Sequence, residues 1–184
     1  FVAYPDFKTP DNEPEVTSAW IQAWANGEIP QSDNDELRTR EIESLTKLKG
    51  QIEGGDVCCV IVEPMQSEGG DNYGTARFYN GLRALTRHHN VPLIFDEVQV
   101  GFRLGGPFYW HELFNLKNAQ GEPDAPDCIT LAKKAQLGVV LSRWEDTRPG
   151  APHVLQAQRG LIHGQDLEAF DLERLENMTK QSLK

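Results

Sequence analysis

The chain has 184 residues, enough for one domain or for one domain and part of another. Its formal net charge of -10 argues against nucleic acid as a partner, because nucleic acids select basic surfaces. No stretch is apolar over the length needed to cross a membrane, and no basic head precedes an apolar run as in a secretory signal.

The first third of the chain predicts two helices. Residues 1–30 are rich in proline and polar groups and predict an irregular arm with a short helical piece at 18–24. Residues 32–34 (SDN) are suited to cap a second helix. Apolar residues recur at helical spacing over 42–52, and the glycines at 54 and 55 are expected to end that helix.

The centre of the chain predicts a parallel sheet. Residues 57–62 (VCCVIV) form a continuous apolar run that is typical of a strand buried on both faces. A polar loop at 66–74 and a helix follow, and then a second buried strand at 92–95. This order predicts a right-handed βαβ unit with parallel strands. A third apolar run at 128–131 predicts a third strand of the same sheet.

The helix between the first two strands is expected to be amphipathic. Its apolar side carries Phe78, Leu82 and Leu85, which would pack on the sheet. Arg83 and Arg87 lie on its other side.

Each predicted strand is followed by a charged residue: Glu63, Asp96 and Lys133. The carboxyl ends of parallel strands meet at one edge of a sheet, and ligands bind at that edge in open α/β folds. The pattern therefore predicts two carboxylates and an amine close together. From the pattern alone, a functional edge and a merely solvated one are equally good interpretations.

Motifs for other ligands are absent from the sequence. No GxGxxG follows a strand, since the glycines at 101–106 have the wrong spacing, and no GxxxxGK[ST] phosphate loop is present. The histidines lack HExxH spacing and the cysteines lack a CxxC pair, so we expect no metal site.

Three ordered motifs resemble those of the class III aminotransferases. They are IVEPMQSEGG at 61–70, LIFDEVQVGF at 93–102 and DCITLAKK at 127–134. The first two are especially similar to the 4-aminobutyrate aminotransferase group. The resemblance is strong over about 57–134, and three motifs in family order are far more specific than any one of them.

The resemblance implies a role for each matching residue. Lys133, the first lysine of LAKK, corresponds to the Schiff-base lysine that holds pyridoxal 5'-phosphate (PLP) and then moves the substrate proton. Asp96 corresponds to the aspartate beneath the pyridine nitrogen. Gln99 corresponds to the glutamine that binds the ring hydroxyl, and Val98 to the residue packed on the ring face. Glu63 corresponds to the glutamate on the substrate side.

The resemblance also implies an α/β fold, the three-layer large domain of a fold type I PLP-transferase, with a mostly parallel sheet and helices on both faces. This chain is expected to carry an incomplete part of that domain. We predict a lead-in arm and helix at 1–56, the PLP-binding core at 57–143 and a helical segment at 144–184 that leads toward a C-terminal small domain. Within that segment, 167–183 has helical spacing. The phosphate-binding loop and the substrate-carboxylate arginine are expected outside the chain.

The implied reaction moves an amino group from an ω-amino acid such as 4-aminobutyrate to a 2-oxo acid such as 2-oxoglutarate. The implied protein is a homodimer in the cytoplasm or the mitochondrial matrix, with small-molecule substrates and neither nucleic acid nor membrane as partner. Two alternatives stay open: a non-catalytic subunit or fragment derived from an aminotransferase, and another class III PLP reaction on lysine, ornithine or by amino-group migration.

Overall fold

A computed structural model of the protein describes residues 4–5, 13–32 and 35–142, all within one compact unit, Phe1–Ser142. Its elements are the helices α1 (Ser18–Ala25), α2 (Glu36–Glu53) and α3 (Ala76–His88) and the strands β1 (Val60–Val62), β2 (Met65–Gln66), β3 (Asn72–Tyr73), β4 (Leu93–Asp96), β5 (Cys128–Leu131) and β6 (Val139–Ser142). Short 3-10 helices occur at Trp110–Phe114 and Lys133–Ala135.

The main sheet has the order β1-β4-β5-β6. Strands β1, β4 and β5 are parallel, and α3 connects the first two, so the predicted βαβ unit and the third strand are confirmed. Strand β6 runs antiparallel to β5 and was not predicted. Strands β2 and β3 form a small antiparallel pair inside the predicted polar loop. The α/β fold with a mostly parallel sheet is therefore confirmed.

The two N-terminal helices form where the sequence predicts them, with one difference at a cap. The Thr17 hydroxyl accepts a hydrogen bond from the Trp20 amide at 3.2 Å and begins α1. Helix α2 is capped by Asp35, whose carboxylate accepts from the Leu37 amide at 3.0 Å, so the predicted cap at 32–34 is wrong by one residue. The helix ends at Gly54, as predicted.

The first strand is shorter and less buried than its apolar run predicts. Only Val60–Val62 pairs with the sheet, and Ile61 is 60% exposed, so burial on both faces is wrong for this strand. Side chains alternate between the two faces of a strand. In the neighbouring strand β4, the side chains of Leu93 and Phe95 are fully buried in the core that the helices cover. The described helices thus cover one face of the sheet.

Helix α3 is buried almost all round, including Arg83 on the side away from Phe78, Leu82 and Leu85. The side chain of Arg83 is fully buried and donates to Asp127 at 2.6 Å and to Asp124 at 2.9 Å. A buried guanidinium is tolerated because these carboxylates pair with it. Asp127 also accepts from the Leu93 amide at 3.0 Å, so this ion pair anchors the start of β4.

No helix in the described part of the chain is long and apolar enough to cross a membrane. The predicted helical segment at 144–184, including 167–183, lies outside the described residues, and the predicted domain boundaries stay predictions.

Candidate active site

The structure brings the three predicted strand-end residues to one edge of the sheet. Glu63 directly follows β1, Asp96 is the last residue of β4, and Lys133 lies two residues after β5. The parallel register pairs Asp96 with Thr130, so these strand ends lie side by side. The grouping that the sequence predicts from strand polarity is present in the described residues.

The three groups influence one another electrostatically. Partial burial, and next the negative charge of Asp96, raise the pKa of the Glu63 carboxyl above its ordinary value. The Ser67 backbone and the ammonium of Lys133 act in the opposite direction. The ammonium of Lys133 thus offsets part of the repulsion between the Glu63 and Asp96 carboxylates at this edge.

Asp96 is held through one carboxylate oxygen. Its Oδ1 accepts a hydrogen bond from the Val98 amide at 3.1 Å and another from the Thr130 hydroxyl at 2.9 Å. No residue in the described part of the chain donates to its Oδ2. Since the side chain is half-buried, Oδ2 is a fixed acceptor that remains open to a ligand.

Lys133 lies at a sharp corner of the backbone. It begins the short 3-10 helix Lys133–Ala135 with a φ of 46°, in the left-handed region that non-glycine residues rarely adopt. The Gln136 amide donates to its carbonyl oxygen at 2.8 Å and closes the turn. Its side chain is exposed, and no described carboxylate lies within ion-pairing distance of it. The ε-amine is therefore available to a ligand.

The neighbouring Lys134 is engaged differently. Its Nζ lies 3.3 Å from the Phe102 carbonyl oxygen, to which it donates. The structure thus distinguishes the two lysines of the LAKK motif, with Lys134 tied to the loop that follows β4.

Val98 and Gln99 lie in the turn that follows β4, and both are half-buried. The Gln99 side-chain amide lies 3.4 Å from a carboxylate oxygen of the exposed Glu68, a long contact at the limit of a hydrogen bond. The Gly101 amide donates to the Glu97 carbonyl oxygen at 2.9 Å and closes this turn. Gln99 is therefore only loosely held.

Sequence reasoning missed three residues that support this edge. Thr130 contacts Asp96 directly, and its place follows from the strand register. The fully buried Tyr79 hydroxyl lies 3.0 Å from the carbonyl oxygens of both Glu63 and Pro64, to which it donates. It fixes the backbone that carries the Glu63 carboxylate.

The third missed residue is Glu97, which is fully buried next to Asp96. Its carboxylate accepts from the Trp110 amide at 2.7 Å, from the His111 amide at 2.9 Å and contacts His111 Nδ1 at 2.7 Å. It holds the far end of the loop that carries Val98. No spacing in the sequence indicates this pairing, because the partners are connected only through an irregular loop.

Metal chemistry has no support among the described residues, where no group of three or more His, Cys, Asp or Glu side chains could hold an ion. The open edge instead suits PLP, which needs an amine to hold it and a fixed anion for its ring nitrogen. Lys133 offers such an amine, and Oδ2 of Asp96 offers such an anion. The residues at this edge therefore fit PLP, the cofactor that the resemblance of the motifs implies.

Comparison with known proteins identifies the family. Residues 8–148 match the family described as Aminotransferase class-III, and the chain belongs to that family. A 4-aminobutyrate aminotransferase from Dictyostelium discoideum is 42% identical over 107 residues, which cover 56% of this chain and 20% of that protein. The mitochondrial 4-aminobutyrate aminotransferase of Mus musculus is 36% identical over 124 residues, 66% of this chain and 23% of that protein.

Solved structures agree with this assignment. A lysine aminotransferase from M. tuberculosis is 30% identical, with a TM-score of 0.53, over 61% of this chain and 25% of that one. Class III aminotransferases depend on PLP, as the resemblance of the motifs implies. The chain spans about a fifth of the length of the curated relatives it matches, 20% in the first of them.

Proposed function

We propose that the protein is an aminotransferase that moves an amino group from an ω-amino acid of the 4-aminobutyrate type to a 2-oxo acid such as 2-oxoglutarate. The observation that carries this proposal is that two groups lie at one edge of the sheet: the exposed amine of Lys133, and the carboxylate of Asp96, which is hydrogen-bonded through Oδ1 only. The names of the curated relatives support the choice of amino donor.

Lys133 is proposed to bind the cofactor covalently and, once released by substrate, to move a proton between substrate and cofactor carbons. When bound, PLP supplies an electron sink that stabilises negative charge at the substrate carbon. Lys133 suits this role because its side chain is exposed, whereas Lys134 donates to the Phe102 carbonyl oxygen.

Asp96 is proposed to keep the ring nitrogen protonated through its free Oδ2. An anion held by two donors at its other oxygen does not need to reorganise when charge develops, which is the general advantage of a preorganised site. The half-buried position strengthens the interaction, since charges interact more strongly away from bulk water.

The remaining predicted residues are proposed to orient the ring and the substrate. The loosely held Gln99 amide is free to turn to the ring hydroxyl, and Val98 is proposed to pack on the ring face. Glu63 is proposed to act on the substrate side, where its raised pKa makes it responsive to a nearby cation. These roles are carried over from the matching motif positions.

The assembly and the compartment are part of the proposal. We propose a homodimer, with amino acids and 2-oxo acids as small-molecule partners, in the cytoplasm or the mitochondrial matrix. The compartment named for the mouse relative supports the second of these.

A second candidate function is lysine aminotransfer, which the similarity to the M. tuberculosis enzyme favours. A third candidate, which the sequence leaves open, is a non-catalytic aminotransferase-derived chain. The phosphate-binding loop and the substrate-carboxylate arginine are expected in parts of the family that this chain does not match.

The test is an amino-transfer assay with PLP and 2-oxoglutarate, in which 4-aminobutyrate, lysine and ornithine are compared as donors and glutamate is measured. The proposal expects glutamate with 4-aminobutyrate as the preferred donor and no turnover for Lys133→Ala. Preference for lysine would select the second candidate. No transfer from any donor would reject the aminotransferase function for this chain and leave the non-catalytic candidate.

A further inference from the structure

Thr130 is placed beside Asp96 by the architecture of the sheet. The two residues are register partners on the adjacent parallel strands β4 and β5. Register partners project their side chains from the same face, so a short hydroxyl can reach its neighbour's carboxylate. The Thr130 hydroxyl donates to Asp96 Oδ1 at 2.9 Å, and both side chains are half-buried.

The second donor to the same oxygen is the Val98 amide at 3.1 Å. That bond lies within one loop and belongs to the local turn after β4. The Thr130 bond comes from a different strand, so it fixes the carboxylate relative to the sheet. Two donors on Oδ1 from different directions restrain rotation of the carboxylate about its terminal bond, and they leave Oδ2 without a described donor.

We propose that Thr130 is a positioning residue for the cofactor, because its hydroxyl orients Asp96 so that Oδ2 faces the ring nitrogen of bound PLP. This inference rests on the proposed function. It adds a residue that touches neither substrate nor ring and acts only through Asp96. Without the hydroxyl, the carboxylate can turn and present a less favourable geometry to the ring nitrogen.

The side chain of Thr130 can be changed without breaking the strand. Its backbone carbonyl accepts from the Glu97 amide at 3.0 Å, a bond that a side-chain substitution leaves in place. Thr130→Val keeps the branched shape and removes the hydroxyl, whereas Thr130→Ser keeps the hydroxyl. Thr46→Val is a matched control, because the buried Thr46 hydroxyl on α2 has no hydrogen-bond partner in the described structure.

The test measures the bound cofactor and not only turnover. The chain and its three variants are loaded with PLP that carries ¹⁵N at the ring nitrogen, and the nitrogen chemical shift reports its protonation. The dissociation constant for PLP is measured by absorbance titration. We expect Thr130→Val to move the nitrogen signal toward the unprotonated position and to weaken PLP binding about tenfold, because a misoriented Asp96 carboxylate would interact less strongly with the ring nitrogen.

Thr130→Ser and Thr46→Val are expected to keep the wild-type shift and affinity. An unchanged nitrogen signal and affinity in Thr130→Val, with PLP bound to the wild-type chain, would overturn the positioning role alone. A Thr130→Ser variant as impaired as Thr130→Val would also overturn it, because Thr130→Ser keeps the hydroxyl that the proposal requires. A wild-type chain that takes up no PLP at Lys133 would reject the positioning role together with the proposed function.

Discussion

Glu97 offers the sharpest test of how the loop after β4 is held. Its fully buried carboxylate makes three contacts, with the Trp110 amide, the His111 amide and the His111 ring, at 2.7, 2.9 and 2.7 Å. A hydrogen bond to a charged group contributes about 1.5–3 kcal/mol, and partners that share one carboxylate are not additive. We expect Glu97→Ala to lower the free energy of unfolding by about 3–5 kcal/mol, because the buried His111 amide and the part-buried Trp110 amide lose their acceptor.

Urea unfolding followed by tryptophan fluorescence measures this change, since Trp110 lies within the cluster. With a slope of about 2 kcal/mol per molar urea, the midpoint should fall by about 2 M. Glu112→Ala is the matched control. The exposed Glu112 side chain makes only a long contact, 3.4 Å, with the Tyr109 amide, so its removal should lower the free energy of unfolding by under about 1 kcal/mol. An equal loss of unfolding free energy in Glu97→Ala and Glu112→Ala would refute the proposed role of Glu97 in holding the loop.

Three further predictions concern charges. The hydrogen bonds from Arg87 and Arg83 outweigh burial and lower the pKa of Asp124 to about 2. Asp124→Asn should therefore cost about 2 kcal/mol at pH 7, and this cost should shrink below about pH 4 and be lost as the pH falls through about 2. A cost that does not change with pH would contradict this. Because burial and Asp96 raise the pKa of Glu63, Glu63→Gln should unfold at higher urea than the wild type at neutral pH, and the gain should vanish below about pH 4; a loss at neutral pH would refute it. Asp96→Asn keeps an acceptor for its two donors and removes the charge, so PLP should still be fixed by borohydride while amino transfer falls about a hundredfold or more; near-normal turnover would exclude the proposed role.

Much of the sheet could be predicted from the sequence because its strands carry a clear physical signal. Apolar runs bounded by charged residues indicate β4 and β5, and the helix between the first two strands requires them to be parallel. Strand β6 was missed because its pairing depends on the turn at Lys133 and not on a pattern of its own. The full exposure pattern of β1 was missed because an apolar run does not reveal which of its residues a helix covers, as Ile61 shows.

The candidate site, like the sheet, could be predicted from the sequence only in part. Strand polarity alone brings Glu63, Asp96 and Lys133 to one edge, but only the ordered family motifs single out the first lysine of LAKK. The burial of Arg83 could not be predicted, because its partners Asp124 and Asp127 lie far along the chain and periodicity does not indicate them.

The support for the site was missed for a related reason. Glu97 finds Trp110 and His111 across an irregular loop, and Thr130 finds Asp96 across a strand register. Contacts of this kind depend on tertiary packing, which local sequence patterns do not encode.

The central claim is that Lys133 is the residue that carries the cofactor. It is tested most directly by adding PLP to the chain, reducing with borohydride and mapping the modified peptide, in parallel with Lys133→Arg and Lys134→Arg. We expect a phosphopyridoxyl group on Lys133 that is lost in Lys133→Arg and kept in Lys134→Arg. Modification that persists in Lys133→Arg, or none in the wild-type chain, would contradict it.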